Sequence, residues 1–202
     1  MNILAFGAHP DDIEIGAGGT LAKYAEKGDS VTAVVVTLPQ DKKVRRKESE
    51  IAAKILGINI KLLDISFEDL FFSRELVRRL DDVLEEHRPD LIFTHWDSDS
   101  HQDHNVLTSG VIAATRKNQC SLYMYEQTLP GGITPTSFNA QVYIDISATM
   151  DKKIESILAH VSQHRKNGED WLRGIRGRAM LRGCQINVKY AEAFQVVKRL
   201  CL

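Results

Sequence analysis

The chain has 202 residues, 43% hydrophobic and 26% charged, and its 26 Lys and Arg against 27 Asp and Glu give a formal net charge of -1. That length suits one domain, residues 1–202, with a sizeable core. Near-neutral charge excludes a general attraction to nucleic acid or to an anionic membrane, and no apolar run approaches the roughly 18 residues of a membrane-crossing helix.

Asn2 to Gly7 is a short apolar run without helical period and reads as a buried strand. Gly16, Gly18 and Gly19 then let the chain turn tightly before a helix from Thr20 to Lys27, stopped by Gly28-Asp29. Val31 to Thr37 is β-branched and apolar, a second buried strand. After a polar loop, Pro39 to Lys43, the stretch Val44 to Leu56 reads as a helix with Ile51, Ile55 and the alanines inside and Gly57 as its C-cap. Ile58 to Leu63 is a third strand. Ser73 caps a helix from Arg74 to Glu86, whose Leu76, Val77, Leu80, Val83 and Leu84 follow helical spacing.

Leu91 to Thr94 is a fourth strand, followed by a polar cluster, His95 to His104, and a helix, Asp103 to Arg116. Leu122 to Glu126 is a strand, Leu129 to Ser137 a long loop, Val142 to Ile146 a strand and Thr149 to Gln163 a helix. The Arg- and Gly-rich stretch 167–183 carries no clear pattern. Strands alternating with helices imply an α/β fold on a parallel sheet with right-handed crossovers. Ligands of such sheets bind beyond the carboxyl ends of the strands, where polar clusters follow strands one and four.

The cluster after strand one is Ala8-His9-Pro10-Asp11-Asp12. His9 and Asp12, three residues apart, can aim at one point while Asp11 must point elsewhere. Two groups could thus hold a metal and the third handle a proton. The cluster after strand four, Asp97 to His104, packs three acids and two histidines into eight residues, which no hydrophobic pattern demands.

Ala8-His9-Pro10-Asp11-Asp12 resembles the signature of the LmbE-like, or PIG-L, family of zinc-dependent N-deacetylases, and His101-x-Asp103-His104 resembles that family's second signature. The resemblance implies a Rossmann-like three-layer sandwich with a mostly parallel sheet. It implies His9, Asp12 and His104 as metal ligands around Zn2+ (Fe2+ or Co2+ fits the same donors), with one position open for water. Asp11 would then be the general base. His101, protonated, would hold the oxyanion, and Asp103 would orient His101 and keep it charged. The substrate implied is a small N-acetylated amino sugar, N-acetylglucosamine joined to any of several groups, and the products are acetate and a free amine.

Three further stretches resemble the family more loosely. They are Arg45-x-x-Glu48 with Ala52-Ala53-x-x-Leu56-Gly57, where Arg45 would face the substrate, His160-x-Ser162-Gln163, and Tyr190 to Phe194. Glu14 reads as a supporting or structural group that could back His9. His95, Asp97 and Asp99 read as polar loop, Asp99 being the one to touch a histidine ligand. His164, Arg165 and Lys166 look like a solvated helix end. Arg173, Arg176, Arg178 and Arg182 could meet an anion on a substrate or serve surface contacts.

Other readings are a Rossmann-like nucleotide-binding module, a non-haem iron oxygenase and a non-catalytic metal-binding relative. The first fails on spacing, since Ala8-His9-Pro10-Asp11 fills the place of a glycine-rich phosphate loop. Facial-triad oxygenases usually sit on β-barrels, and a non-catalytic protein needs neither Asp11 nor His101. Cys120, Cys184 and Cys201 are odd in number and widely spaced, which argues against a disulfide framework. With no signal-peptide pattern at residue 1, the expectation is a soluble cytoplasmic protein. The region around 126–141 leaves little room for a substrate-covering insertion. An open site in a small enzyme is often completed by a second subunit, so a homo-oligomer is the hypothesis to test.

Overall fold

The computed structural model describes residues 1–127 and 131–201. Seven strands form one sheet: β1 (Asn2–Gly7), β2 (Ser30–Thr37), β3 (Asn59–Ile65), β4 (Leu91–His95), β5 (Ser121–Tyr125), β6 (Val142–Asp145) and β7 (Ala191–Lys198). Their order is β3-β2-β1-β4-β5-β7-β6, parallel from β3 to β5. β7 runs antiparallel to both β5 and β6, so the sheet is mostly, not wholly, parallel. Among the described residues six α-helices accompany it: α1 (Asp12–Glu26), α2 (Lys42–Leu56), α3 (Arg74–His87), α4 (Gln102–Ala114), α5 (Met150–Leu158) and α6 (Val161–Gln185). No helix of the described residues is long and apolar enough to cross a membrane.

Alternation along the buried strands divides the core into two faces. Leu4, Phe6, Val34, Val36 and Ile92 point to α3 and α4, meeting Leu80, Leu84, Leu107 and Val111. Ile3, Ala5, Val31, Ala33 and Phe93 point the other way, onto Ile13, Ala17 and Leu21 of α1. This is the period-two pattern of a strand covered on both sides, and it yields three layers. A further cluster joins Ile15 of α1 to Met150, Ile154 and Ile157 of α5 and to Trp171, Leu172 and Ile175 of α6. The sheet order reverses between β1 and β4, and the two polar clusters follow those two strands. Both clusters therefore open into the crevice at the switch point.

Several local expectations need correction. Gly16, Gly18 and Gly19 lie inside α1, which begins at Asp12, eight residues before the predicted start. Low helix propensity is overridden here by close packing. A Cβ on Gly16 would collide with the Tyr125 ring, and one on Gly19 would sit 2.8 Å from Ile146. Tyr125 has little room to move, because it is fully buried and its hydroxyl donates to the Phe6 carbonyl at 2.7 Å. Gly16→Ala is expected to cost about 1–3 kcal/mol by overpacking. Gly18→Ala, whose nearest neighbours lie 3.5 Å or more away, is expected to be neutral or to stabilise by up to about 1 kcal/mol through helix propensity. Urea unfolding of the two variants against wild type measures both.

On α2, Ile51 is exposed at 43%, whereas Arg45, Glu48, Ser49, Ala52 and Leu56 are buried. The inner face thus includes a charged pair that hydrophobic spacing could not reveal. Gly57 does close α2, at φ 74, and Ser73 caps α3 through the Leu76 N–H. The helix expected over Thr149–Gln163 is interrupted at Ala159-His160. The unpatterned stretch 167–183 belongs to α6, kinked at Gly168. Leu129 and Pro130, at the start of the predicted loop, lie outside the described residues.

Candidate active site

The end of β1 delivers its motif through a backbone device. Asp11 takes φ 92, left-handed, immediately before α1. Aspartate tolerates that region better than most residues, at some cost in strain. The turn sends the Asp11 and Asp12 carboxylates in different directions, as the sequence required. Asp12 is buried and receives the His9 backbone N–H at 2.7 Å and the Gln127 side-chain amide at 3.0 Å. Its two oxygens also face His104 Nε2 and His95 Nε2, each at 3.3 Å, and His9 Nδ1 at 3.5 Å. Burial disfavours its charge, but His104 and His95 outweigh that and hold its pKa well below the usual carboxylate range.

The second cluster opens α4. The His101 Nδ1 accepts the Asp103 backbone N–H at 3.2 Å and so caps the helix. Asp99 Oδ1 accepts the His101 N–H at 2.8 Å, and Asp99 Oδ2 stands 3.1 Å from His104 Nδ1. Asp99 therefore touches His104, one of the two histidines expected to hold a metal. Asp103 differs from expectation: its carboxylate meets His9 Nε2 at 2.8 Å, and only its backbone holds His101. Burial, with His104 and His9 nearby, pushes the His101 pKa down. With its Nδ1 lone pair accepting a hydrogen bond, His101 is a neutral ring carrying N–H on Nε2, not the expected imidazolium. For His9, burial opposes the charge, but the hydrogen bonds to Asp103 and Asp12 raise the pKa to about 9.

The donor set fits a metal. Ligand atoms on a zinc at ~2.1 Å lie about 3.4 Å apart in a tetrahedron. The His104 Nε2–Asp12 Oδ1 and His9 Nδ1–Asp12 Oδ2 separations are 3.3 and 3.5 Å. The far nitrogens of both histidines face carboxylates, Asp103 and Asp99, which is how metal-binding imidazoles are usually oriented. Two compact groupings, His9-His101-His104 and Asp12-His95-His104, share His104. His95 is fully buried and stacks on His104 with ring centroids 3.8 Å apart. Its Nε2 accepts the Ala8 N–H at 3.0 Å, so that lone pair is used and His95 forms a wall behind the site. His95 was read as loop. The signal available was its place at the end of a buried strand.

Asp11 belongs to neither of these groupings. Burial first, and the Asp12 charge second, raise its pKa to about 7, against the pull of His160 and Arg45. Arg45 Nη2 is 3.7 Å from its carboxylate. Arg45 borders the cleft, but it is buried and committed to the Pro10 carbonyl at 2.5 Å and to Glu48 and Ser162 at 3.3 Å each. The guanidinium thus holds the Asp11 turn in place more than it offers itself to a substrate. Glu14 pairs with His160 at 3.3 Å, behind Asp11, and not with His9.

Asp103→Ala would remove the acceptor that fixes His9 and is expected to weaken metal binding about 10–100-fold. Competition against a chelator measures it.

All seven residues singled out from sequence, His9, Asp11, Asp12, Arg45, His101, Asp103 and His104, line one cleft of about 590 Å³. Such a volume suits a small organic ligand. Arg165 and Lys166 are exposed, as a solvated helix end would be, and Lys166 and Asn167 also line the cleft.

Known proteins resemble this chain in sequence and in fold. The family profile described as PIG-L, GlcNAc-PI de-N-acetylase, matches residues 4–115. The uncharacterized deacetylase YaiS of Escherichia coli K12 is 35% identical over 126 residues, 56% of this chain and 68% of that protein. Diacetylchitobiose deacetylase of Thermococcus kodakarensis is 26% identical over 227 residues, 99% of this chain and 84% of that protein. 4-Oxalmesaconate hydratase of Pseudomonas putida is 24% identical, covering 96% of this chain and 88% of that protein. Among solved structures, the conserved protein TT1542 from Thermus thermophilus superposes with a TM-score of 0.87 at 26% identity, covering 100% of this chain and 97% of that one.

Proposed function

This chain belongs to the PIG-L, or LmbE-like, family, and on that premise we propose that it is a metal-dependent N-deacetylase. It would cleave the linear amide C–N bond of an N-acetylated amino sugar or its conjugate. The observation that carries this reading is the convergence of both signatures on one cleft, with the expected base set apart from the expected ligands.

His9, Asp12 and His104 would hold the metal. When bound, zinc, or Fe2+ or Co2+ on the same donors, polarises a carbonyl and lowers the pKa of a water toward ~7. Asp11 takes the proton of the attacking water, a task for which a pKa of about 7 is well placed. His101 Nε2–H donates to the acetamide oxygen as negative charge develops there. The C–N bond then breaks, the amine leaves with the proton that Asp11 accepted, and acetate and a free amine result. Asp103 and Asp99 keep His9 and His104 in orientation. Lys166, Asn167 and Gln163, which also line the cleft, would give the sugar hydroxyls polar partners.

A nucleotide-binding module is disfavoured electrostatically. The α1 N-terminus, where a phosphate would sit, carries Asp11, Asp12 and Glu14. Three free cysteines favour a reducing compartment, which we take to be the cytoplasm.

Zinc-loaded protein incubated with N-acetylglucosamine, diacetylchitobiose and anomeric conjugates of N-acetylglucosamine is expected to release acetate from at least one. No acetate from any of them, with turnover of 4-oxalmesaconate instead, would overturn the reading.

A further inference from the structure

Beside the catalytic cleft lies a second chamber of about 360 Å³. Ser100 and Gly132 line both, so the two are contiguous. Gln127 and Asp99 line the second chamber and reach through its wall to Asp12 and His104. A molecule in the catalytic cleft thus has a neighbouring space open to whatever is attached to it.

The charge in that chamber is arranged unusually. Arg178 and Arg182, one turn apart on α6, both converge on Glu126 at the end of β5. Arg182 spends Nε and Nη2 on the two Glu126 oxygens, at 2.9 and 2.7 Å, and Nη1 on Gln185 at 3.1 Å. Arg178 Nη1 shares Glu126 Oε1 at 2.5 Å. One carboxylate therefore serves two guanidinium groups, leaving the trio with one excess positive charge. Asp99, the other acid lining the chamber, faces His104. Arg182 and Glu126 are about seven-eighths buried, whereas Arg178 is about one-third exposed and faces the space. The Glu126 oxygen that Arg178 touches also takes Arg182 Nη2, so Arg178 faces the space with only a shared carboxylate oxygen. Arginine also matches the planar geometry of carboxylate and phosphate oxygens.

We propose that this chamber is a subsite for an anionic group, a carboxylate or a phosphate, carried by the substituent joined to the N-acetylated sugar, with Arg178 as its principal contact and Arg182 and Glu126 holding Arg178 in position. The proposal rests on the deacetylase reading and adds to it a preference for acidic glycoconjugates over neutral ones. It assigns a role to the arginine-rich stretch that the hydrolytic chemistry leaves unused.

The test compares binding of three probes by calorimetry: the carboxymethyl glycoside of N-acetylglucosamine, its neutral carbamoylmethyl counterpart, and N-acetylglucosamine 1-phosphate. Zinc-loaded Asp11→Asn protein is used so that the acetamides stay intact. The better of the two anions is expected to bind about tenfold or more tighter than the neutral probe, as a charge-assisted hydrogen bond would give. Which anion wins names the source. Adding Arg178→Gln is expected to abolish the preference, while Arg173→Gln, on the same helix but outside the chamber, retains it. A preference unchanged by Arg178→Gln, or none at all, overturns the subsite. Acetate release by the wild-type enzyme, followed separately on the neutral probe, reports on the deacetylase reading alone. A binding preference that depends on Arg178 without any acetate release leaves the subsite standing and removes that reading.

Discussion

Asp11→Asn is expected to lower acetate release by about two to four orders of magnitude, the usual contribution of a positioned general base. The substitution is nearly isosteric, and asparagine tolerates the left-handed conformation at this position as well as aspartate does. Asp11 makes no contact that a metal would need: Asp12, His9 and His104 face one another, while Asp11 faces Arg45 and the cleft. Metal affinity and fold should therefore survive, and the loss should fall on kcat, because an amide cannot take the proton from the attacking water. Steady-state kinetics with zinc content measured on the same sample gives the answer. An Asp11→Asn enzyme within a few-fold of wild type would assign the base elsewhere.

Lys153→Met is expected to destabilise the fold by about 3–5 kcal/mol, because it strands a buried carboxylate. Lys153 and Glu192 are both nearly inaccessible and meet at 2.5 Å. The Lys153 ammonium also donates to the Ile15 carbonyl at 2.7 Å, and Glu192 accepts the Gly19 and Thr20 N–H groups at 3.0 and 2.7 Å. The pair thus clasps the middle of α1 from two sides, α5 and β7, where the helix has no side chains on its glycines. Lys153→Met/Glu192→Gln, which removes the charge as well as its partner, should recover part of the loss. Urea unfolding of the two variants and wild type closes the comparison. A double variant no better than Lys153→Met would mean that packing, not the orphaned charge, is what was lost.

The weaker family resemblances acquire physical content from the same contacts. Glu192 lies in the Tyr190–Phe194 segment and fastens β7 to α1. Glu48 accepts the Ser162 N–H at 2.7 Å and its hydroxyl at 2.8 Å, tying α2 to the start of α6. His160 and Glu14 join α6 to α1. Glu192 and His160 brace α1, on which Asp12 sits, and Glu48 braces α2 against α6.

What the sequence made legible was what depends on local order. The buried strands, the caps at Ser73 and Gly57 and the two signatures each declare themselves within a few residues. What escaped it depends on distant partners. The glycines of α1 read as a turn because their helical role needs Tyr125 and Ile146, more than a hundred residues away. His95 read as loop because its burial comes from stacking on His104 and from the Ala8 N–H. Arg45 read as a residue facing the substrate, since its partners Pro10 and Ser162 lie on other elements. Beyond the kink at Gly168, the buried face of α6 is only Trp171, Leu172, Ile175, Ala179 and Gly183, set among arginines and glycines that obscure the spacing. Asp103 matched the signature by position, but which histidine it would hold was decided by the approach of β1 to β4.

The measurement that bears most directly on the central claim is a zinc titration of metal-stripped protein, with bound metal and acetate release read from the same samples and His104→Ala run alongside. The account predicts that zinc binds at one per chain, that acetate release rises in step with it and levels off at one equivalent, and that His104→Ala loses both. Acetate release that is indifferent to zinc, or zinc bound equally well by His104→Ala, would contradict it.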